Sequence, residues 1–191
     1  DNTLELLKNQ KIYDTNILVL NNDSNSGYGD GFSKALNSAS NNYIITIHSD
    51  NQFRLDKFLE QYSTKIKEDL KNNISIFPIR TNRSLVANLR TLIVRLILSI
   101  ISFRFFNDYG GHPKFLLKEK IKNINSLPSG FSFDAAILFF LKKNKIKLNQ
   151  NYYVSEHDRI FGESSWSKSL FKQFILLLKF VYEFFIFRVN N

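Results

Sequence analysis

The chain has no cysteine and no methionine in 191 residues, and only three prolines, seven glycines, three histidines and one tryptophan. Without cysteine there is no disulfide framework and no thiolate-ligated zinc, and a reducing compartment is compatible. Because methionine is missing even at position 1, the expectation is a processed chain or a piece of a longer protein. Acidic residues are scarce beside basic ones, 17 against 26, which leaves a formal charge of +9. Such a balance points to an anionic partner: nucleic acid, an anionic membrane surface or a phosphorylated substrate. No signal-peptide pattern opens the chain, and no repeat or long linker divides it. What is plentiful is apolar surface, 43% of residues, with 15% aromatic. That is enough for one domain with a sizeable core and excludes a disordered chain.

The most informative stretch is Ile44-Ile45-Thr46-Ile47-His48-Ser49-Asp50-Asn51-Gln52. A short apolar run without helical period reads as a buried strand. It ends in three side chains able to ligate a metal, and in open α/β sheets ligands gather beyond the carboxyl ends of the strands. Upstream, Asn16–Leu20 reads as a strand and residues 21–31 as a glycine-containing loop. Phe32, Ala35, Leu36 and Ala39 then follow at helical spacing from a start near Asp30. Strand, glycine-rich loop and helix can aim backbone N–H groups at a phosphate. With the next strand the order is βαβ, which predicts a parallel pair.

Leu55 to Leu70 keeps a helical stripe, and Ile74–Ile79 reads as a strand that Pro78 confines to an edge or an end. Residues 84–106 are apolar on nearly every side. Arg83, Arg90 and Arg104 fall within an arc of about 60° and Arg95 lies elsewhere. Two readings fit: a buried core helix with snorkelling arginines, or a helix in a membrane interface with its arginines on lipid phosphates. Asn107–Lys114 is a turn segment, Leu116–Ile124 a short basic helix, and Phe133–Phe140 begins another helix with Asp134 in its first turn. Lys145–Asn149 and Tyr152–Ser155 are strand-like, and 156–167 is a polar loop. The end, Leu170–Phe187, is an apolar and aromatic helix. Its Lys172, Lys179 and Glu183 form a polar stripe only about 40° wide. This suits a helix lying in a membrane plane, or one packing on a partner.

Four stretches, in this order, give the chain a resemblance to family 2 glycosyltransferases, in particular to the dolichyl- and undecaprenyl-phosphate sugar transferases. Asn25-Ser26-Gly27-Tyr28-Gly29 resembles the family's Asn-x-Gly segment. Ile44–Gln52 resembles the strand ending in Asp-x-Asp-x-Gln, with His48 at the first Asp. Asp108–Lys114 resembles Asp-x-x-(Gly/Ala)-x-Pro-Lys, and Arg159–Ser164 resembles Arg-x-x-Gly-x-Ser. The resemblance implies an α/β fold of GT-A type, a Rossmann-like mixed sheet flanked by helices. The family's first strands are then expected before position 1, leaving an N-terminally incomplete catalytic domain over 1–168 and a membrane-associating helix over 169–191.

The resemblance further implies an inverting, metal-assisted transfer from a nucleotide-diphosphate sugar to an acceptor, a polyprenyl phosphate or a glycan. Asp50, then Gln52, then His48 are the implied ligands of Mg²⁺ or Mn²⁺. Asn25, Gly27, Arg159, Gly162 and Ser164 are the implied substrate and phosphate contacts, and Asp134 the catalytic candidate: the general base for a hydroxyl acceptor, or, for a phosphate acceptor that hardly needs a base, a group that only orients the acceptor or binds nothing. Such an enzyme belongs at the cytoplasmic face of a membrane, in the making of cell-envelope glycans, with an anionic lipid surface as partner. No nucleic-acid motif is present. The competing reading is a non-catalytic membrane-associated or scaffold module derived from a transferase.

Overall fold

The computed structural model describes residues 5–6, 18–21, 24, 26–122, 124, 126–159 and 169–191. In chain order its elements begin with α1 (Tyr28–Ser38), β1 (Tyr43–Thr46), α2 (Leu55–Lys71), β2 (Ser75–Ile76), β3 (Ile79–Thr81) and α3 (Leu85–Ser102). There follow β4 (Lys114–Leu117), α4 (Lys118–Ile121), α5 (Phe133–Lys143), β5 (Leu148–Asn149), β6 (Tyr153–Ser155) and α6 (Leu170–Asn190). Four strands make one sheet in the order β1-β4-β2-β5, and β3 with β6 makes a second, two-stranded sheet. Strand β4 runs antiparallel to both β1 and β2, while the β2–β5 and β3–β6 pairs are parallel. The expected mixed sheet flanked by helices is therefore present.

β4 shows why the sheet holds. Its four residues Lys-Phe-Leu-Leu are all buried, because ladders flank it on both sides and helices cover both faces. Alternation sends Phe115 to one face and Leu116 to the other. Phe115 joins Phe53, Phe58, Ile66, Ile76, Tyr152 and Val154 under α2. Leu116 joins the larger core, where Leu98, Phe106, Phe133, Phe139, Phe180, Phe184 and Phe187 meet. Lys114 shares the Leu116 face and so points toward α5.

Some local expectations are corrected. Leu18–Leu20 form no strand; residues 16 and 17 lie outside the described residues. β1 pairs antiparallel with β4 rather than in a parallel βαβ pair, and it stands at the sheet's edge among the described residues. Ile45 and Ile47 are exposed there, not buried. The expected strand over 74–79 is two strands, since Pro78 lacks the N–H that would continue the ladder. The expected helix 116–124 is a strand followed by the single turn α4. Its Phe-Leu-Leu run satisfies either period, and the two flanking ladders decide for the strand.

The helix expected over 84–106 forms as α3. Ser84 caps it, accepting from the Ala87 N–H at 3.2 Å, and Phe103 ends it in the left-handed region at φ 53°. Only Leu98 and Ser102 of α3 are buried, so the buried-core reading does not hold. α6 packs Phe180, Phe184 and Phe187 into the larger core, and each such burial contributes roughly 1.5–3 kcal/mol. Its other flank exposes Phe171, Phe174, Leu178, Tyr182 and Phe185.

Candidate functional site

The turn after β1 and the segment before β4 meet because Thr46 is the register partner of Lys114. This places His48 beside His112, with their Nε2 atoms 2.9 Å apart. The His112 Nδ1 is 3.1 Å from the Thr46 carbonyl oxygen. Lys114 approaches the His112 Nε2 at 2.7 Å and the Asp134 Oδ1 at 3.0 Å. From α1, the Tyr28 hydroxyl donates to the Asp134 Oδ2 at 2.9 Å and stands 3.2 Å from the His48 Nε2. His112 and Lys114 are sealed from solvent at 0% and 1% exposure, and Asp134 is 8% exposed.

Burial sets the electrostatics of this cluster. For Asp134 burial disfavours the charge, but the Lys114 ammonium outweighs it and holds the carboxyl below the usual carboxylate range. Burial, then His112 and Lys114, push His48 down to about 4. Burial followed by Lys114 likewise lowers His112. Tyr28 is raised by burial and by the Asp134 charge. At neutral pH both imidazoles are therefore uncharged and the Tyr28 phenol keeps its proton.

The turn itself is held from the far end of the chain. β6 continues into 156–159, where the His157 N–H donates to the Gln52 carbonyl at 2.9 Å and the Gln52 amide donates to the His157 carbonyl at 3.1 Å. Arg159 then lies 2.9 Å from the Asp50 carboxylate and donates to the Gln52 Oε1 at 3.1 Å. Within the turn, Asn51 adopts φ 56°, and the Gln52 N–H returns to the Asp50 Oδ1 at 3.2 Å.

Two chemistries are thus adjacent. Asp50 and Gln52 offer oxygen donors, which suit a hard cation such as Mg²⁺ or Mn²⁺ held by few protein ligands and completed by substrate phosphates. The ligating atoms of His48, His112 and Asp134 lie within 4.8 Å of one another and offer a softer set.

A third group lies under α3. Arg80 reaches Asp108 through two hydrogen bonds of 2.7 and 2.8 Å, and Arg83 stands 2.6 Å from Glu156. Burial disfavours the Asp108 charge, yet the Arg80 guanidinium holds that carboxyl at about 2. At Gly110 a Cβ would come within 2.7 Å of the Arg80 guanidinium, so any side chain there would have to displace that group. Arg80, Arg83, Arg95 and Asp108 line a cleft of about 420 Å³ against Leu89 and Leu92 of α3.

A model of glycosyl transferase family 2 matches residues 1–173. The chain belongs to glycosyl transferase family 2. Comparison with curated proteins returns no match. Membership makes the protein a glycosyltransferase, with a nucleotide-sugar donor and an acceptor as its substrates, and members commonly use a divalent metal.

Within this transferase the expected site residues fall into two neighbouring sets. His48 and Asp134 meet in the buried cluster, and Asp50, Gln52 and Arg159 meet at the turn. Gly27 stands at the start of α1 with φ 106°, and a Cβ there would lie 2.5 Å from the Ser129 carbonyl oxygen. The N–H groups of Gly29 and Asp30 both go to that same carbonyl, so those two donors serve the 128–130 turn. Asn25, Gly162 and Ser164 lie outside the described residues.

Sequence reasoning passed over Tyr28, His112, Lys114, Arg80 and Glu156 as site residues. One signal was available. His112 and Lys114 are two apart before an apolar run, and strand alternation puts such residues on one face.

Proposed function

We propose that this transferase moves a sugar from a nucleotide-diphosphate sugar to a polyprenyl phosphate at the cytoplasmic surface of a membrane, with inversion. In this reaction an acceptor phosphate oxygen bonds to the anomeric carbon, the bond from that carbon to the diphosphate breaks, and the nucleoside diphosphate leaves. Asp50 and Gln52 would hold Mg²⁺ or Mn²⁺, with His48 as a third donor, and the ion neutralises the leaving diphosphate when bound. Arg159, already at that turn, supplies a fixed guanidinium for a phosphate.

The observation that carries the acceptor class is the state of Asp134. A carboxylate held below the usual range by Lys114, accepting from Tyr28 and nearly sealed from solvent, is a weak base. A hydroxyl acceptor needs a base to take its proton, whereas a phosphate acceptor arrives already anionic. Asp134 is then a positioning group that orders Tyr28 and the histidines.

The membrane reading is supported by α3 and α6. α3 has 18 residues with a mean hydropathy of 1.8, long and apolar enough to cross a membrane by length and composition. It exposes Leu85, Leu89, Leu92, Leu96 and Ile100, and an apolar face that large marks an interaction surface. The arginine-lined cleft at its base suits a lipid phosphate.

The test is nucleoside diphosphate release by the full chain on vesicles with and without polyprenyl phosphate. Release is expected to require that lipid and to disappear in Asp50→Ala. Equal rates for the two proteins, or transfer to a hydroxyl acceptor without lipid phosphate, would overturn the reading.

A further inference from the structure

The hydrogen bonds of the buried cluster fix where its protons lie. The Thr46 carbonyl only accepts, so the His112 Nδ1, 3.1 Å away, carries a hydrogen. The neutral ring then has its lone pair on Nε2. The Lys114 ammonium only donates, and at 2.7 Å from that Nε2 it finds the lone pair it needs. The His48 Nε2 sits 2.9 Å from the same atom. It faces a lone pair, so it carries a hydrogen as well, and the Tyr28 oxygen at 3.2 Å is its second acceptor. Tyr28 is free to accept because its own proton goes to the Asp134 Oδ2. Asp134 takes its other hydrogen bond from Lys114 at 3.0 Å. Each close contact in this network then runs from a donor to an acceptor, with Lys114 and His48 sharing the one lone pair of the His112 Nε2.

We infer that Lys114 is the resident cation of the His48–His112–Asp134 cluster and excludes a metal ion from it. Its ammonium contacts both Asp134 and the His112 Nε2, two of the three groups that would otherwise ligate a metal. The third, the His48 Nε2, carries a hydrogen. A divalent ion entering the cluster must therefore evict an ammonium that is 1% exposed and strip a proton from His48. One consequence reaches the neighbouring turn: with Nε2 committed, Nδ1 is the single lone pair His48 can offer to an ion at Asp50. Lys114 is in this sense a positioning residue, acting on His48 through His112. The inference rests on the cluster's geometry and holds for any acceptor.

The test uses the full chain carrying His157→Ala, so that His48 and His112 supply the remaining imidazole signals. Long-range ¹H–¹⁵N spectra at neutral pH should show His112 as the Nδ1–H tautomer and His48 as Nε2–H. Added Zn²⁺ should leave the His112 nitrogens unshifted. Lys114→Met in the same background should take up one further Zn²⁺ by calorimetry, with the His112 Nε2 signal moving. Further removal of His112 should weaken that uptake about tenfold or more. An Nε2–H tautomer at His112, a Zn²⁺-induced shift of His112 while Lys114 is present, or a folded Lys114→Met protein that gains no zinc would each overturn the inference. Should Lys114→Met fail to fold, the tautomers and the zinc response of the His157→Ala protein decide alone.

Discussion

Arg159 holds Asp50. The 2.9 Å contact joins the turn after β1 to the segment after β6, and the same guanidinium reaches Gln52. Any divalent cation arriving at Asp50 therefore competes with a positive charge already there. The Arg159 side chain is 34% exposed, so the pair is worth only about 0.2–1 kcal/mol.

It follows that Arg159→Ala should tighten Mn²⁺ binding by about 1.4- to fivefold, the equivalent of that pair energy, while weakening nucleotide-sugar binding. Asp50→Ala should weaken both. Calorimetric titration of Mn²⁺ and then of donor into each variant checks the opposite signs; parallel loss of Mn²⁺ binding in both variants would contradict the competition.

Lys114 and Asp134 form a buried ion pair, and breaking such a pair from one side leaves an unpaired charge in the core. Lys114→Met and Asp134→Asn should each destabilise the fold by about 3–5 kcal/mol. The double variant should cost clearly less than the two losses added. Urea unfolding of the four proteins measures this, and strict additivity would show that the two side chains act independently.

The two histidines make the fold acid-sensitive. His48 titrates at about 4 in the folded protein, against about 6.5 when unfolded. Between those values the unfolded chain binds protons that the native state refuses, so stability falls as pH falls from about 6.5 toward 4. His48 alone should contribute a loss of about 3 kcal/mol across that window, and His112, also lowered, adds in the same direction. The carboxyl of Asp134 acts only below this range, since its stabilising charge is present above its unfolded pKa of about 3.9 and is lost on further acidification. Denaturant midpoints from pH 7.5 to 4.5 test this, with His48→Gln expected to flatten the slope.

Replacing Leu89, Leu92 and Leu96 together by Gln removes apolar surface that is 45–58% exposed. Flotation on anionic vesicles should drop strongly, while thermal stability stays within about 1 kcal/mol of the parent, as for surface changes in general. Unchanged flotation would remove α3 from the membrane contact.

The sequence made some features legible and hid others for physical reasons. The ligand-rich turn at 48–52, the helix carrying Asp134 and the apolar helix α3 each show in local pattern, which is what short-range physics controls. The placement of Lys114 does not. A lysine closing the 107–114 segment reads as part of a turn, and only pairing with Asp134, twenty residues on and in another element, lets it be buried in a central strand. The Arg80–Asp108 contact is hidden in the same way, since it depends on where α3 returns the chain. The Asp50–Arg159 contact was within reach only as two separate motifs; their meeting is a property of the β3–β6 pairing.

Asn51 stands at φ 56° between the two oxygen donors of the turn. Its handedness sets how Asp50 and Gln52 face one another, and the chain, poor in glycine, entrusts that handedness to asparagine, which tolerates the left-handed region. A β-branched residue strongly resists a positive φ. A valine at 51 would therefore splay the donors apart while every donor stayed in the sequence, so the transferase carries a point where it can be silenced without losing any group that touches substrate or metal.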